Sequence, residues 1–82
     1  MNKILEDFVE PKKILGKDLR QGYYFYCAFP KKYGEPNMGY IEIIKIESWG
    51  KDQKMLWFNE LKPSPMIVND YDYYSVKLYD MP

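Results

Sequence analysis

From Tyr23 the chain reads YYFYCAF, a run of strong strand formers in which Phe25, Cys27 and Phe29 occupy alternate positions. Side chains alternate across a strand, so these three face a core while Tyr24, Tyr26 and Ala28 face outward. The opposite phase would bury two phenols, each of which would then need a hydrogen-bond partner. The next apolar stretch, YIEIIKIES from Tyr40 to Ser48, breaks strict alternation: Ile41 and Ile43 fall on one face, Ile44 and Ile46 on the other. A bulge or sharp bend near Ile43 would turn all four inward, as a long strand passing between two parts of a small barrel requires. A third strand is predicted over Lys54 to Leu61, with Met55, Trp57, Asn59 and Leu61 alternating with Leu56, Phe58 and Glu60. The fourth lies in NDYDYYSVKLYD, Asn69 to Asp80, where Tyr74, Val76 and Leu78 form the apolar set. That phase leaves Tyr71, Tyr73, Lys77 and Tyr79 outward, with Ser75 among them and Asp70, Asp72 and Asp80 flanking.

Between these runs the chain is punctuated by turn formers. PKKYGEPNMG, Pro30 to Gly39, is too long and too rich in Pro, Gly and Asn for a tight hairpin and reads as a projecting loop. WGKDQ reads as a turn, and the two prolines of KPSPM exclude a central strand there. Before Tyr23, Asn2 can cap a short helix carrying Ile4, Leu5, Phe8 and Val9 at helical spacing, which Pro11 ends. That helix is expected to plug an open barrel end more readily than to bind a partner. An extended lead-in through KKILGKDLRQG follows, anchored by Ile14, Leu15 and Leu19.

The order of lead-in, strand, loop, long bent strand, turn, strand, crossover and strand resembles a small SH3-like barrel over Lys17 to Asp80. DLRQG, approaching the first strand, is its most suggestive piece. The resemblance is one of fold and implies no function, because small barrels serve unrelated tasks. The sequence therefore predicts a mostly β protein: an SH3-like or similar open barrel of four to five antiparallel strands with a short N-terminal helix. It forms a single domain over 1–82, with the helix and lead-in in 1–20 and the barrel in 21–80.

Composition narrows the function. With 82 residues there is apolar material for one core, and the 46% hydrophobic and 18% aromatic shares are too high for a disordered chain. The 12 basic and 12 acidic residues cancel, so the strong positive field of a dedicated nucleic-acid binder is missing. The only cysteine, Cys27, excludes an internal disulfide and points to a reducing compartment, expected to be the cytoplasm. Neither a membrane-spanning apolar run nor a signal-peptide core is seen, so no membrane partner is expected. Heavy use of Lys, Ile, Asn, Tyr and Phe, all with AT-rich codons, suggests an AT-rich bacterial or phage gene.

Catalytic chemistry finds little to work with. There is no histidine to serve as a general base. Ser48, Ser64 and Ser75 have no evident activating base, and Cys27 in a strand interior reads as a small core hydrophobe. One cysteine without histidine excludes a structural zinc site within one chain, and DYD lacks the further ligands of a calcium loop. Neither enzymatic activity nor a metal or other cofactor is expected.

Two surfaces remain. Asp70, Tyr71, Asp72, Tyr73, Lys77 and Tyr79 combine rigid phenols with adjacent carboxylates, a composition suited to a protein partner, although tyrosines that simply cover a sheet explain it equally well. Arg20, Tyr24, Tyr26, Lys31, Lys32 and Tyr33 would instead suit a single strand of nucleic acid, bases stacking on the phenols. With one arginine, bidentate reading of guanine is nearly unavailable, which weakens that alternative. The leading expectation is a protein-binding module that acts by steric occlusion, in the manner of small phage inhibitors of host defence proteins. The alternatives are a nucleic-acid-binding barrel and a structural, self-associating phage subunit or homo-oligomer.

Overall fold

Six strands form in the computed structural model, which describes residues 10–29, 37–60 and 62–78. They are β1 (Lys12–Leu15), β2 (Tyr24–Phe29), β3 (Asn37–Ser48), β4 (Gln53–Phe58), β5 (Met66–Asn69) and β6 (Tyr73–Lys77), with a 3-10 turn at Gly16–Asp18 after β1. All pair antiparallel in one sheet of order β1-β6-β2-β3-β4-β5. The mostly β, antiparallel expectation holds, with more strands than the four to five expected. The additional pairing comes from the lead-in, whose KKIL segment aligns Lys12 with Val76 and Leu15 with Tyr73. It comes also from Met66–Asn69, a separate short strand beside β4. Both are only four residues long, too short for alternation to reveal in a sequence. The N-terminal helix expected over Asn2 to Val9 lies outside the described residues.

Strand β3 joins the two halves of the sheet. Its first half pairs with β2, from Phe29↔Asn37 to Tyr24↔Glu42, and its second half pairs with β4. Between Ile43 and Lys45 the register shifts. This bulge lies where broken alternation placed it, with one difference: Ile41, Ile43 and Ile46 turn inward, whereas Ile44 is 44% exposed. A single inserted residue is left unpaired and turned away so that the following positions return to the core side. Gly22 supports the junction from β2, donating its N–H to the Ile43 carbonyl while the Ile43 N–H reaches Tyr23, both at 2.8 Å. Its φ of 97° is one that a side chain would disfavour.

The core contains Leu19, Phe25, Cys27, Phe29, Ile41, Ile43, Leu56, Phe58, Val68 and Val76. Phe25, Cys27 and Phe29 face inward, as the alternation of β2 requires. The Phe25 ring packs on Phe58 at 5.9 Å and on Tyr74 at 5.5 Å, so one residue of β2 touches β4 and β6. Burying a phenyl side chain of this kind contributes about 1.5–3 kcal/mol. Cys27 is buried in the same layer, and desolvation pushes its thiol up to about 11, opposed weakly by Lys62. It is a packing residue held in the unreactive thiol form.

Two sequence boundaries are revised. The projecting loop was expected to reach Gly39, yet Asn37, Met38 and Gly39 already pair with Phe29, Ala28 and Cys27. The third strand ends at Phe58 rather than Leu61, and Asn59 is buried at its end.

The 3-10 turn packs against the connection between β5 and β6. Gly16 donates its N–H to Asp72 at 2.9 Å and Lys17 donates to Asp70 at 3.0 Å. A Cβ at position 16 would overlap the Asn69 carbonyl, a backbone group that has no rotamer to escape into. Gly16→Ala is therefore expected to lower stability by about 1–3 kcal/mol, the range of overpacking strain. Gly22→Ala, where no atom stands nearby, should cost only the strain of positive φ, about 1 kcal/mol. Urea denaturation of both variants would check the difference, and equal losses would contradict this placement of Gly16.

Candidate functional site

Alternation along β6 puts Tyr73, Ser75 and Lys77 on the face opposite Tyr74 and Val76, and register then assembles a surface from four strands. Lys13 and Leu15 of β1 stand beside Ser75 and Tyr73. Tyr24 of β2 lies between Lys77 and Glu42, and Tyr26 and Ala28 stand beside Tyr40 and Met38 of β3. The outer face of this half of the sheet thus carries four tyrosines, 24, 26, 40 and 73, drawn from segments distant in sequence.

Its centre is ordered. The Tyr26 and Tyr40 rings meet at 4.9 Å with a 50° tilt, within the favourable range for aromatic pairs. The Tyr40 hydroxyl shares a 2.8 Å hydrogen bond with the Ser75 hydroxyl. The Lys77 ammonium lies over the Tyr40 ring, 4.6 Å from its centroid. Around this cluster the rim is open: Tyr26 is 44% exposed, Met38 55% and Tyr73 66%.

The two residue sets named from sequence are thereby partly merged and partly dispersed. Tyr24 and Tyr26, assigned to the nucleic-acid alternative, share a face with Tyr73 and Lys77 of the protein-binding set. Lys77 does point to the outer side, but the expectation of an outward, available cation is corrected: it is 2% exposed. Its alkyl stem and ammonium are covered by neighbours, so it supports the tyrosine cluster from within. Asp70 is directed elsewhere, accepting from the Lys54 ammonium at 2.9 Å in a largely buried ion pair that joins β4 to the β5–β6 connection. Tyr71 belongs to that connection rather than to the strand and is 66% exposed, with the Lys17 ammonium 5.8 Å from its ring centroid. Asp72 accepts from the Asn69 side-chain amide at 2.9 Å. The Arg20 guanidinium donates to the carbonyls of Leu19 at 3.0 Å and Lys17 at 3.4 Å. Tyr79, Lys31, Lys32 and Tyr33 lie outside the described residues.

Tyr40, Met38 and Leu15 belong to the face but escaped the sequence reading. Met38 was hidden in what read as loop, and extending the strand pattern back over Asn37–Gly39 is the signal that would have found it. Trp57 and Trp49 lie in the other half of the chain. Trp57 is on the outer side of β4, where its indole N–H donates to Glu47 at 2.8 Å and Lys45 lies 5.8 Å from its ring centroid. Hydrogen bonding from Trp57, and then the charge of Lys45, hold the Glu47 carboxyl below its ordinary value. Met55 and Ile67 flank this second, smaller outer surface.

Among the described residues there is no pocket, no group of acidic, cysteine or histidine residues arranged to hold a metal, and no helix long and apolar enough to cross a membrane. Comparison of the chain with protein-family models, with curated proteins and with solved structures finds no match.

Two measurements check the geometry. Tyr40→Phe should cost about 0.5–1.5 kcal/mol for the lost hydroxyl contact, and Tyr40→Ala clearly more, because the ring contacts to Tyr26 and Lys77 also vanish. Equal losses in chemical denaturation would place the energy in the hydroxyl alone. By NMR titration the Glu47 carboxyl should protonate below the ordinary glutamate range and move back up in Trp57→Phe. Because its folded value is depressed, the Glu47–Trp57 contact is present at neutral pH and lost as pH falls through that value. An unshifted Glu47 in the parent protein would remove the hydrogen bond as its cause.

Proposed function

We propose that this protein is a non-enzymatic binding module that recognises another protein through its tyrosine-rich outer face and acts by occluding the surface it covers. The observation that carries the reading is the combination of an ordered centre, Tyr26–Tyr40–Ser75 with Lys77 beneath, and an exposed rim of Tyr73, Met38 and Tyr26. Tyrosines already held by neighbours lose little conformational freedom on binding and present large amphipathic surfaces, the property that enriches them at interface hot spots. A role as a phage inhibitor of a host defence protein suits such a module by analogy of size and mode of action.

The scaffold belongs to the same proposal: a small SH3-like barrel. Support comes from the order β6-β2-β3-β4-β5, from a long strand shared by two half-sheets through a bulge, and from the short β5–β6 connection packed on the 3-10 turn. The nucleic-acid alternative has less to stand on. Arg20 spends donors on backbone carbonyls, and part of the Tyr26 ring is occupied by Tyr40, leaving less of it for a base.

The test is capture from host lysate with a tagged full-length chain, with and without nuclease. One protein retained near stoichiometry after nuclease supports the reading, and Tyr26→Ala and Tyr73→Ala should then each weaken that complex by more than about 1 kcal/mol, or at least five-fold, without loss of fold. Binding that disappears with nuclease moves the function to nucleic acid. Unchanged affinity in both variants overturns the assignment of the face, and concentration-dependent mass without a partner points to self-association.

A further inference from the structure

The sheet has two edges, and they are treated differently. Strand β5 follows Pro63 and Pro65, its Asn69 N–H is taken by the Tyr74 hydroxyl at 2.9 Å, and the Asn69 carbonyl lies against Gly16. At its Asn69 end that edge is blocked. Strand β1 is not. Gly16 donates to Asp72 on the β6 side, and backbone groups alternate direction along an antiparallel strand, so Lys12 and Ile14 also face β6. The N–H and C=O groups of Lys13 and Leu15 therefore point away from the sheet. Among the described residues no backbone group meets them.

From this asymmetry we infer a second docking site, adjoining the tyrosine face at Lys13, Leu15 and Tyr73: the open edge of β1, which takes an extended acidic segment of a partner protein as an added strand. Strand addition draws its affinity from backbone hydrogen bonds and its selectivity from side chains on alternate faces. Lys12 and Lys13 are both exposed, and among the described residues neither has a carboxylate within ion-pair distance. Ile14 and Leu15 are half-buried, and Leu15 stands beside the exposed Tyr73. An antiparallel strand on this edge meets Leu15, Ile14, Lys13 and Lys12 in turn. Its complement is two apolar residues followed by two acidic ones. Edge lysines also discourage pairing with further copies of the same basic strand, so one feature rejects self-addition and selects the acidic partner.

The test uses the full chain and a short capped peptide with Val-Ile-Glu-Asp at its centre, followed by NMR. Expected are shifts confined to residues 12–15 and 73, and slowed amide exchange at Lys13 and Leu15 on binding. Lys12→Glu with Lys13→Glu should weaken binding about three- to tenfold, the range for two exposed pairs. A peptide with Val-Ile-Lys-Lys should then prefer the reversed-charge protein, a rescue that shows the variant is folded. No shift at millimolar acidic peptide overturns the inference. So does protection of Lys13 and Leu15 amides in the free protein at low concentration, which would mean that the chain covers its own edge, and so do shifts centred on Tyr26 and Tyr40. Tyr26→Ala should leave peptide binding unchanged, which separates failure of this edge from failure of the tyrosine face.

Discussion

Strand β3 pairs with β2 along its first half and with β4 along its second, and no uninterrupted alternation can turn Ile41, Ile43 and Ile46 all inward. The bulge at Ile44 meets the constraint. Ile41 and Ile43 enter the core on the β2 side, one residue is turned out, and Ile46 enters on the β4 side. An exposed isoleucine is the local cost of this reversal. The gain is a core in which Phe25 can touch Phe58 across the interior as well as Tyr74 beside it. Without the bulge, half of β3 would present its isoleucines to water and Leu56 and Val68 would lose their cover.

The outer face depends on the same geometry. Register between β2, β3 and β6 is fixed by the inward residues Phe25, Ile41 and Val76, because a slip of one position would invert every side chain. Once those are seated, Tyr26 must lie beside Tyr40, and Ser75 comes within reach of its hydroxyl. Lys77 shows that this surface is more than a solvated back. Burying an ammonium is unfavourable unless its charge is compensated, and the Tyr40 ring supplies part of that compensation through its negative π face. The Lys54–Asp70 pair plays a comparable part at the other end, fastening β4 to the β5–β6 connection beneath the 3-10 turn.

Much of the strand content was legible in the sequence. The inward phase of YYFYCAF and of Tyr74, Val76 and Leu78, the irregularity near Ile43 and the turn at WGKDQ all follow from alternation and turn chemistry, which act within a few residues. Strands β1 and β5 were not legible as strands, since four residues carry too little pattern, and their pairing depends on where β6 and β4 lie. The candidate site was legible in kind but only partly in membership. Tyr26 and Tyr73 belong to one surface although sequence reasoning placed them in rival sets. Asp70 looked like part of an acidic face and instead pairs internally.

The sequence by itself determined that the chain is mostly β, that Cys27 is a core residue, and which side of β2 and β6 faces inward. These are local consequences of side-chain alternation and propensity. Only the tertiary structure decided that Lys77 is buried, that Asp70 meets Lys54, that Tyr26 meets Tyr40, and that β5 is closed at Asn69 while, among the described residues, no backbone group meets the outer edge of β1. Each of these depends on which strands become neighbours and in what register, and that is set by packing of the whole core rather than by any segment alone.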